Sequence, residues 1–301
     1  MTTTELDGKV AVVTGAGQGL GRAEAMELAR RGARVVVNDY GAALDGTEEE
    51  SAAEAVASEI RALGGEALAH QGDVGDFADG QGLIRTAIET FGDLDILVNN
   101  AGILRDRMIF KMTEDEWDAV IRVHLKGHFN TCQAAASHWR DESKQRGEPV
   151  YARVINTASE AFLFGSPGQP NYAAAKAGIS TLTLSIANAT GKYGVRANTI
   201  CPRAYTRMTE DVFGEAGAAL TPEKVTPLVA FLASPAAEQV SGQVFVVYGG
   251  FVGLMEAPRL EERFDAPDGQ WDVDDLADTL GTYFKGRPAG RTFVASDLMD
   301  V

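Results

Sequence analysis

Three residues in the middle of the chain have the types and spacing for proton transfer. Tyr172 follows Ser159 by 13 residues, and Lys176 follows Tyr172 by four. On a helix, residues i and i+4 share a face, so Tyr172 and Lys176 project together. A free tyrosine titrates near 10, too high for an efficient base at neutral pH, and a nearby ammonium favours the phenolate and lowers that value. Making the phenol ten times more acidic takes about 1.4 kcal/mol of preference for the phenolate. Tyr172 is thus a candidate general acid/base, Lys176 its electrostatic partner, and Ser159 a group to orient a substrate oxygen. A lone Tyr-x-x-x-Lys on a helix is mostly accident, so the assignment depends on what surrounds it.

Upstream lies a phosphate-binding pattern. The apolar run Val10-Ala11-Val12-Val13 leads into Thr14-Gly15-Ala16-Gly17-Gln18-Gly19-Leu20-Gly21, and a helical pattern follows at once. Glycines let the backbone turn tightly and approach a pyrophosphate, and a helix N-terminus presents free N–H groups and a positive dipole end. The spacing is G-x-x-x-G-x-G, on Gly15, Gly19 and Gly21, with Gln18 and Leu20 between. Asp39 ends the second strand, where a carboxylate can accept both hydroxyls of an adenosine ribose. It also opposes a 2′-phosphate: two charges about 4 Å apart interact by about 4 kcal/mol at an effective dielectric of 20. NAD is therefore favoured over NADP. Asp73 and Val74 end the third strand, where a carboxylate can reach the adenine. Asn99-Asn100-Ala101-Gly102 closes the fourth.

These residues need a scaffold that brings strand ends together. Short apolar runs at 10–13, 35–37, 67–69, 96–98, 154–155, 195–200 and 244–247 read as strands. Helical patterns lie between them at 19–31, 48–63, 77–91, 113–140, 171–192 and 223–233. Strictly alternating strands and helices argue for a parallel sheet with right-handed crossovers, and continuous apolar strands for burial on both faces. The expectation is one doubly wound α/β domain over residues 6–250, with about seven strands and helices on both faces. Residues 251–301, with Pro258, Pro267 and Pro288 and a charged stretch, form a C-terminal extension with one short helix over Asp274 to Phe284.

The net charge of −16 repels phosphate backbones and argues against nucleic acid as a partner. Cys132 and Cys201 sit in apolar segments, as buried free thiols do. The opening MTTTELDGKV lacks a signal-peptide pattern, and no apolar run approaches the roughly 20 residues of a membrane span. A cytoplasmic enzyme is the expectation. His124 and His128 stand four apart, a spacing that can hold a metal, but no further ligand is obviously placed to complete a site, and no metal is expected.

Taken together, Thr14 to Gly21, Asn99 to Gly102 and Ser159/Tyr172/Lys176 resemble the motifs of the short-chain dehydrogenase/reductase family. The resemblance covers about residues 6–250. It implies a Rossmann-type sheet of seven strands and hydride transfer between nicotinamide and a carbonyl or secondary alcohol. It implies Tyr172 as general acid/base, Lys176 also on the nicotinamide ribose, and a homodimer or homotetramer.

Three departures from the common family pattern stand out. His124 takes the place of the usual asparagine that helps hold a relay water near the lysine. Pro202-Arg203 replaces the usual Pro-Gly. The nicotinamide-amide threonine position falls on Arg207, with Thr206 one residue early. These departures, with Asn99 to Arg107, Asn38-Asp39, Arg122 to Leu125 and Arg207-Met208-Thr209, resemble the (3R)-hydroxyacyl-CoA dehydrogenase unit of the type 2 peroxisomal multifunctional enzymes. That resemblance implies a 3-hydroxyacyl-CoA substrate and His124 as a relay element; a buried helix histidine bonded to a backbone carbonyl is the plainer alternative for His124. Arg105, Arg107 and Lys111 either meet the phosphates of coenzyme A or pair with Asp106 and Glu114. A hydroxysteroid or other alcohol dehydrogenase on the same scaffold is the competing function. An inactive nucleotide-sensing protein is a third. A substrate lid is expected around 206–222.

Overall fold

The computed structural model describes residues 3–41, 52–206, 220–258, 260–266 and 269–287. Strands form where the apolar runs lie: β1 (Val10–Thr14), β2 (Arg34–Asp39), β3 (Ala67–Gln71), β4 (Ile96–Asn99), β5 (Ala152–Thr157), β6 (Val195–Pro202) and β7 (Val244–Tyr248). All neighbouring pairs among these seven are parallel. An eighth strand, β8 (Phe251–Leu254), pairs antiparallel with β7 and completes the order β3-β2-β1-β4-β5-β6-β7-β8. The expectation of about seven strands misses this one. The chain reverses at Gly249, whose φ of 53° suits a tight hairpin, and Tyr248 then pairs with Phe251.

Alternation along the strands builds two cores. Ala11 and Val13 face one side with Leu28, Val35, Ile60, Ile155 and Leu232. Val10 and Val12 face the other with Leu83, Leu97, Trp139 and Val154. The first side is covered by α1 (Gly19–Arg30), α2 (Ala52–Ala62) and α8 (Thr226–Ala233), the second by α3 (Phe77–Phe91), α5 (Gly127–Arg146) and α7 (Pro170–Thr190). This is the doubly wound arrangement that the alternation of elements predicts.

The helical pattern over 113–140 appears as an unbroken helical run with a π turn inside it. α4 (Glu114–Ile121) opens on a capping box in which Thr113 and Glu116 satisfy each other's backbone N–H. A π turn over Arg122–Lys126 follows, and α5 continues from Gly127. An extra residue in one helical turn of this kind often marks a functional site, and this one holds His124. The short α6 (Ala161–Phe164) sits between β5 and α7.

The chain divides into two compact units, Met1–Leu254 and Met255–Val301. In the second, α9 (Val273–Lys285) is capped by Asp272, and Phe264 packs edge-on against Tyr283 at 5.0 Å. Among the described residues, no helix is long and apolar enough to cross a membrane. Both cysteines are buried free thiols. Most of the expected lid, with Arg207-Met208-Thr209, lies outside the described residues.

Candidate active site

The strand ends bring the predicted cofactor residues to one edge of the sheet. Gly15 has φ of 61°, and a Cβ there would stand 2.7 Å from Ala101 Cα. A Cβ on Gly21 would meet the Gly15 carbonyl at 2.4 Å. These glycines therefore serve close packing between the β1–α1 turn and the end of β4. Thr14 Oγ1 accepts from the amides of Asn100 and Ala101, and Asn100 Nδ2 donates to the Thr14 and Gly15 carbonyls. α1 starts at Gly19, and the exposed Gln18 does not cap it with its side chain. Leu20 packs into the core beneath. A Cβ on Gly19, at φ of 58°, would meet the Thr206 side chain 3.5 Å away, so Thr206 stands beside the loop. An open glycine turn on a helix N-terminus suits a dinucleotide pyrophosphate.

Asp39 ends β2 with Oδ2 accepting from Gly17 N at 2.9 Å and Oδ1 from Gly41 N at 3.1 Å. The carboxylate is thus fixed beside the glycine loop, where an adenosine ribose would lie. Asp73 is more fully engaged. Its Oδ1 accepts from Gly75 N, and its Oδ2 pairs with Arg122 at 2.5 Å. The neighbouring Val74 is buried, and its carbonyl accepts from Asn130 Nδ2 at 2.8 Å.

α7 places Tyr172 and Lys176 on one face, as their spacing predicts. Lys176 is buried, and its Nζ donates to the Thr157 carbonyl at 2.6 Å. It lies 5.3 Å from the Tyr172 ring centre. Burial lowers the Lys176 ammonium to about 7. Burial also pushes the Tyr172 phenol up to about 12, and the hydrogen bond with Ser159 acts in the opposite direction. The sequence reading assigns that lowering to Lys176. In the structure the lowering contribution comes from Ser159, and the Lys176 ammonium donates to the Thr157 carbonyl.

His124 comes from the π turn and meets the Tyr172 ring edge-on at 5.2 Å. Its Nε2 lies 2.8 Å from Ile103 O and 3.0 Å from Ile103 N, so the tautomer decides which bond forms. Burial, and then the Lys176 charge, hold it well below the usual imidazole range. His128 Nδ1 donates to the His124 carbonyl at 2.7 Å. A Cβ on Gly102 would stand 2.3 Å from the His124 ring, so this glycine makes room for it.

The two arginines after β4 are separated by their partners. Arg107 forms a fork on Glu116 Oε1 at 2.7 and 3.1 Å, whereas Arg105 reaches only its neighbour's carbonyl among the described residues. Arg107 is thus paired as one alternative expected, though with Glu116 rather than Asp106 or Glu114. Asp106 instead accepts from Gln169.

Two features of the site were missed by sequence reasoning. Asn171 is fully buried and donates to the carbonyls of Arg105 and Glu116, while its Oδ1 accepts from Tyr172 N. It ties the start of α7 to the segment after β4. Pro202 ends β6, and the next residue, Arg203, forms a fork on Glu160. The absence of the usual glycine at Arg203 was the only visible signal.

The short chain dehydrogenase family matches residues 9–215. Hydroxyacyl-CoA dehydrogenase ChsB1 of Mycobacterium tuberculosis is 54% identical over 99% of this chain and 95% of its own. The mouse peroxisomal multifunctional enzyme type 2 is 43% identical over 84% of this chain, which spans 33% of that enzyme. A crystal structure of a short chain dehydrogenase from Mycobacterium avium superposes with a TM-score of 0.83 at 50% identity, covering 94% of this chain and 97% of that one. The approach of Lys176 to Tyr172 on α7, the glycine turn at the head of α1 and these likenesses have one common account: the chain belongs to the short-chain dehydrogenase family and is an oxidoreductase.

Proposed function

We propose that the enzyme interconverts a secondary alcohol and a ketone with NAD(H), and that its substrate is a 3-hydroxyacyl-CoA thioester. The observation that carries the reaction is the placement of Tyr172 and buried Lys176 on one face of α7, with the ammonium 5.3 Å from the ring centre and the glycine loop alongside. NAD+, when bound, supplies the hydride acceptor. Tyr172 takes the proton of the substrate hydroxyl, Ser159 orients the same oxygen, and Lys176 faces the phenolate that the reaction needs. General acid–base groups of this kind contribute typically about 10²–10⁴-fold.

Asp39 supports NAD over NADP, since a carboxylate held at the glycine loop favours ribose hydroxyls and repels a 2′-phosphate. The substrate class is supported by the relative named hydroxyacyl-CoA dehydrogenase, aligned over nearly the whole chain. Arg105, exposed at the strand-end edge, is the candidate phosphate contact.

The test is a panel of 3-hydroxyacyl-CoA thioesters and hydroxysteroids, each with NAD+ and NADP+, followed by the absorbance of the reduced cofactor. The expected result is turnover of the thioesters, with a higher kcat/KM for NAD+. Turnover of hydroxysteroids alone would replace the substrate, and a preference for NADP+ would remove the role given to Asp39.

A further inference from the structure

The end of β5 carries a half-buried ion pair that the reaction as described does not use. Glu160, directly after Ser159, is buried. Arg203, just past β6, grips both of its carboxylate oxygens at 2.5 and 2.7 Å. The guanidinium also lies over the Tyr248 ring at 4.5 Å, and Arg203 N donates to Val247 O at the end of β7. Tyr248 in turn packs on Phe251 of β8 at 5.0 Å. The ends of β5, β6 and β7 and the start of β8 are therefore joined through one arginine.

We propose that the Glu160–Arg203 pair, backed by Tyr248 and Phe251, is a positioning element that holds the Ser159 hydroxyl against Tyr172. It rests on the reading of Ser159 and Tyr172 as the proton-transfer site.

Three observations support it. First, the Ser159 turn is held on one side by Ala158 N donating to Ile200 O, and on the other by Glu160. With both flanks fixed, Ser159 Oγ accepts from Ala161 N at 3.2 Å and is aimed by its own backbone. Second, a bidentate fork fixes the plane of a carboxylate as well as its distance, which a single contact does not. Third, a half-buried pair is a poor device for stability, because desolvation offsets part of the Coulombic gain and solvent screens the rest. Its placement next to the serine gives it a use in geometry instead.

Each charge of the pair also acts on Tyr172 through its field. The groups facing Tyr172 are Lys176 on its own helix, His124 from the π turn, Cys201 from β6 and Asp106 from the segment after β4. Paired, Glu160 and Arg203 nearly cancel. Removing either charge acts on the phenol, with opposite sign.

That sign is the test. The pH dependence of kcat/KM for oxidation of 3-hydroxyacyl-CoA by NAD+ would be measured for Arg203→Met, Glu160→Gln, the double variant and Phe251→Ala. With Arg203→Met the uncompensated carboxylate opposes the phenolate, so the rising limb moves to higher pH. Glu160→Gln removes a negative charge, which favours the phenolate, and the limb moves lower. The double variant returns the limb to its wild-type position but loses at least about tenfold in kcat, because the hydroxyl is less well placed. Phe251→Ala lowers kcat to a smaller degree without moving the limb. NADH affinity, read by fluorescence titration, stays unchanged in all four.

Shifts of the same sign in both single variants, or none, would overturn the proposal. If the single variants do not fold, a double variant with wild-type kcat would overturn it as well. Tyr172→Phe measured alongside separates the layers: its collapse with unmoved limbs in the others counts against the pair alone, and its survival counts against the underlying reading.

Discussion

Arg105 and Arg107 lie two residues apart, yet only one has a fork on a carboxylate. Glu116 holds Arg107, so removing Arg107 loosens the segment that Asn171 ties to α7. Arg105 offers its guanidinium to solvent. Arg105→Ala is expected to raise KM for the acyl-CoA and to spare a small alcohol that carries no phosphate. Arg107→Ala is expected to impair both substrates alike. Steady-state kinetics with the two substrates decide it, and equal losses in Arg105→Ala would end the coenzyme A role for that residue. At Asp39 the expected outcome is a loss of cofactor discrimination. Asp39→Ala should lower kcat/KM for NAD+ and raise it for NADP+, since the carboxylate both accepts from ribose and repels a phosphate. An unchanged ratio would place the ribose elsewhere.

The helix that follows the cofactor loop carries a buried acid that bears on stability. Glu24 lies on the inner face of α1, fully buried, with neither carboxylate oxygen hydrogen-bonded among the described residues. Burial pushes its carboxyl up to about 8. In the unfolded chain a glutamate titrates near 4.3. Below that value both states are protonated and the native state keeps its full stability. Between there and about 8 only the unfolded chain ionises, so stability falls as pH rises, by an amount on the order of a few kcal/mol. Thermal melts of wild type and Glu24→Gln should therefore diverge from about pH 5 to about pH 9, with the variant gaining relative to wild type. A gap independent of pH would show that Glu24 does not titrate in this window. The π turn is a second feature of this scale that sequence does not announce. One extra residue in a turn hardly disturbs a 3.6-residue apolar pattern, so 113–140 reads as one helix. The strands are different: their continuous apolar runs mark burial on both faces, and all seven appear where expected.

At the scale of the molecule, legibility follows sequence distance. The glycine turn and the Tyr172–Lys176 pair are local and could be read from spacing. Glu160 and Arg203 are 43 residues apart and meet only because β5 and β6 are neighbours. β8 is four residues long after two glycines, too short for a periodic signal. The surface bears on assembly. Phe77 of α3 and Phe129 of α5 stack at 6.5 Å while both stay exposed, and Leu184 of α7 is exposed as well. Light scattering on a sizing column should give a dimer or tetramer of the 32.0 kDa chain, and a monomer at micromolar concentration would contradict the assembly expected of this family. The central claim is narrower, that Tyr172 carries the proton. Its most direct test is kcat for Tyr172→Phe with NAD+ and a 3-hydroxyacyl-CoA, together with NADH affinity. The expected result is a fall of about 10²–10⁴-fold in kcat with affinity unchanged; activity within about tenfold of wild type would contradict that role for Tyr172.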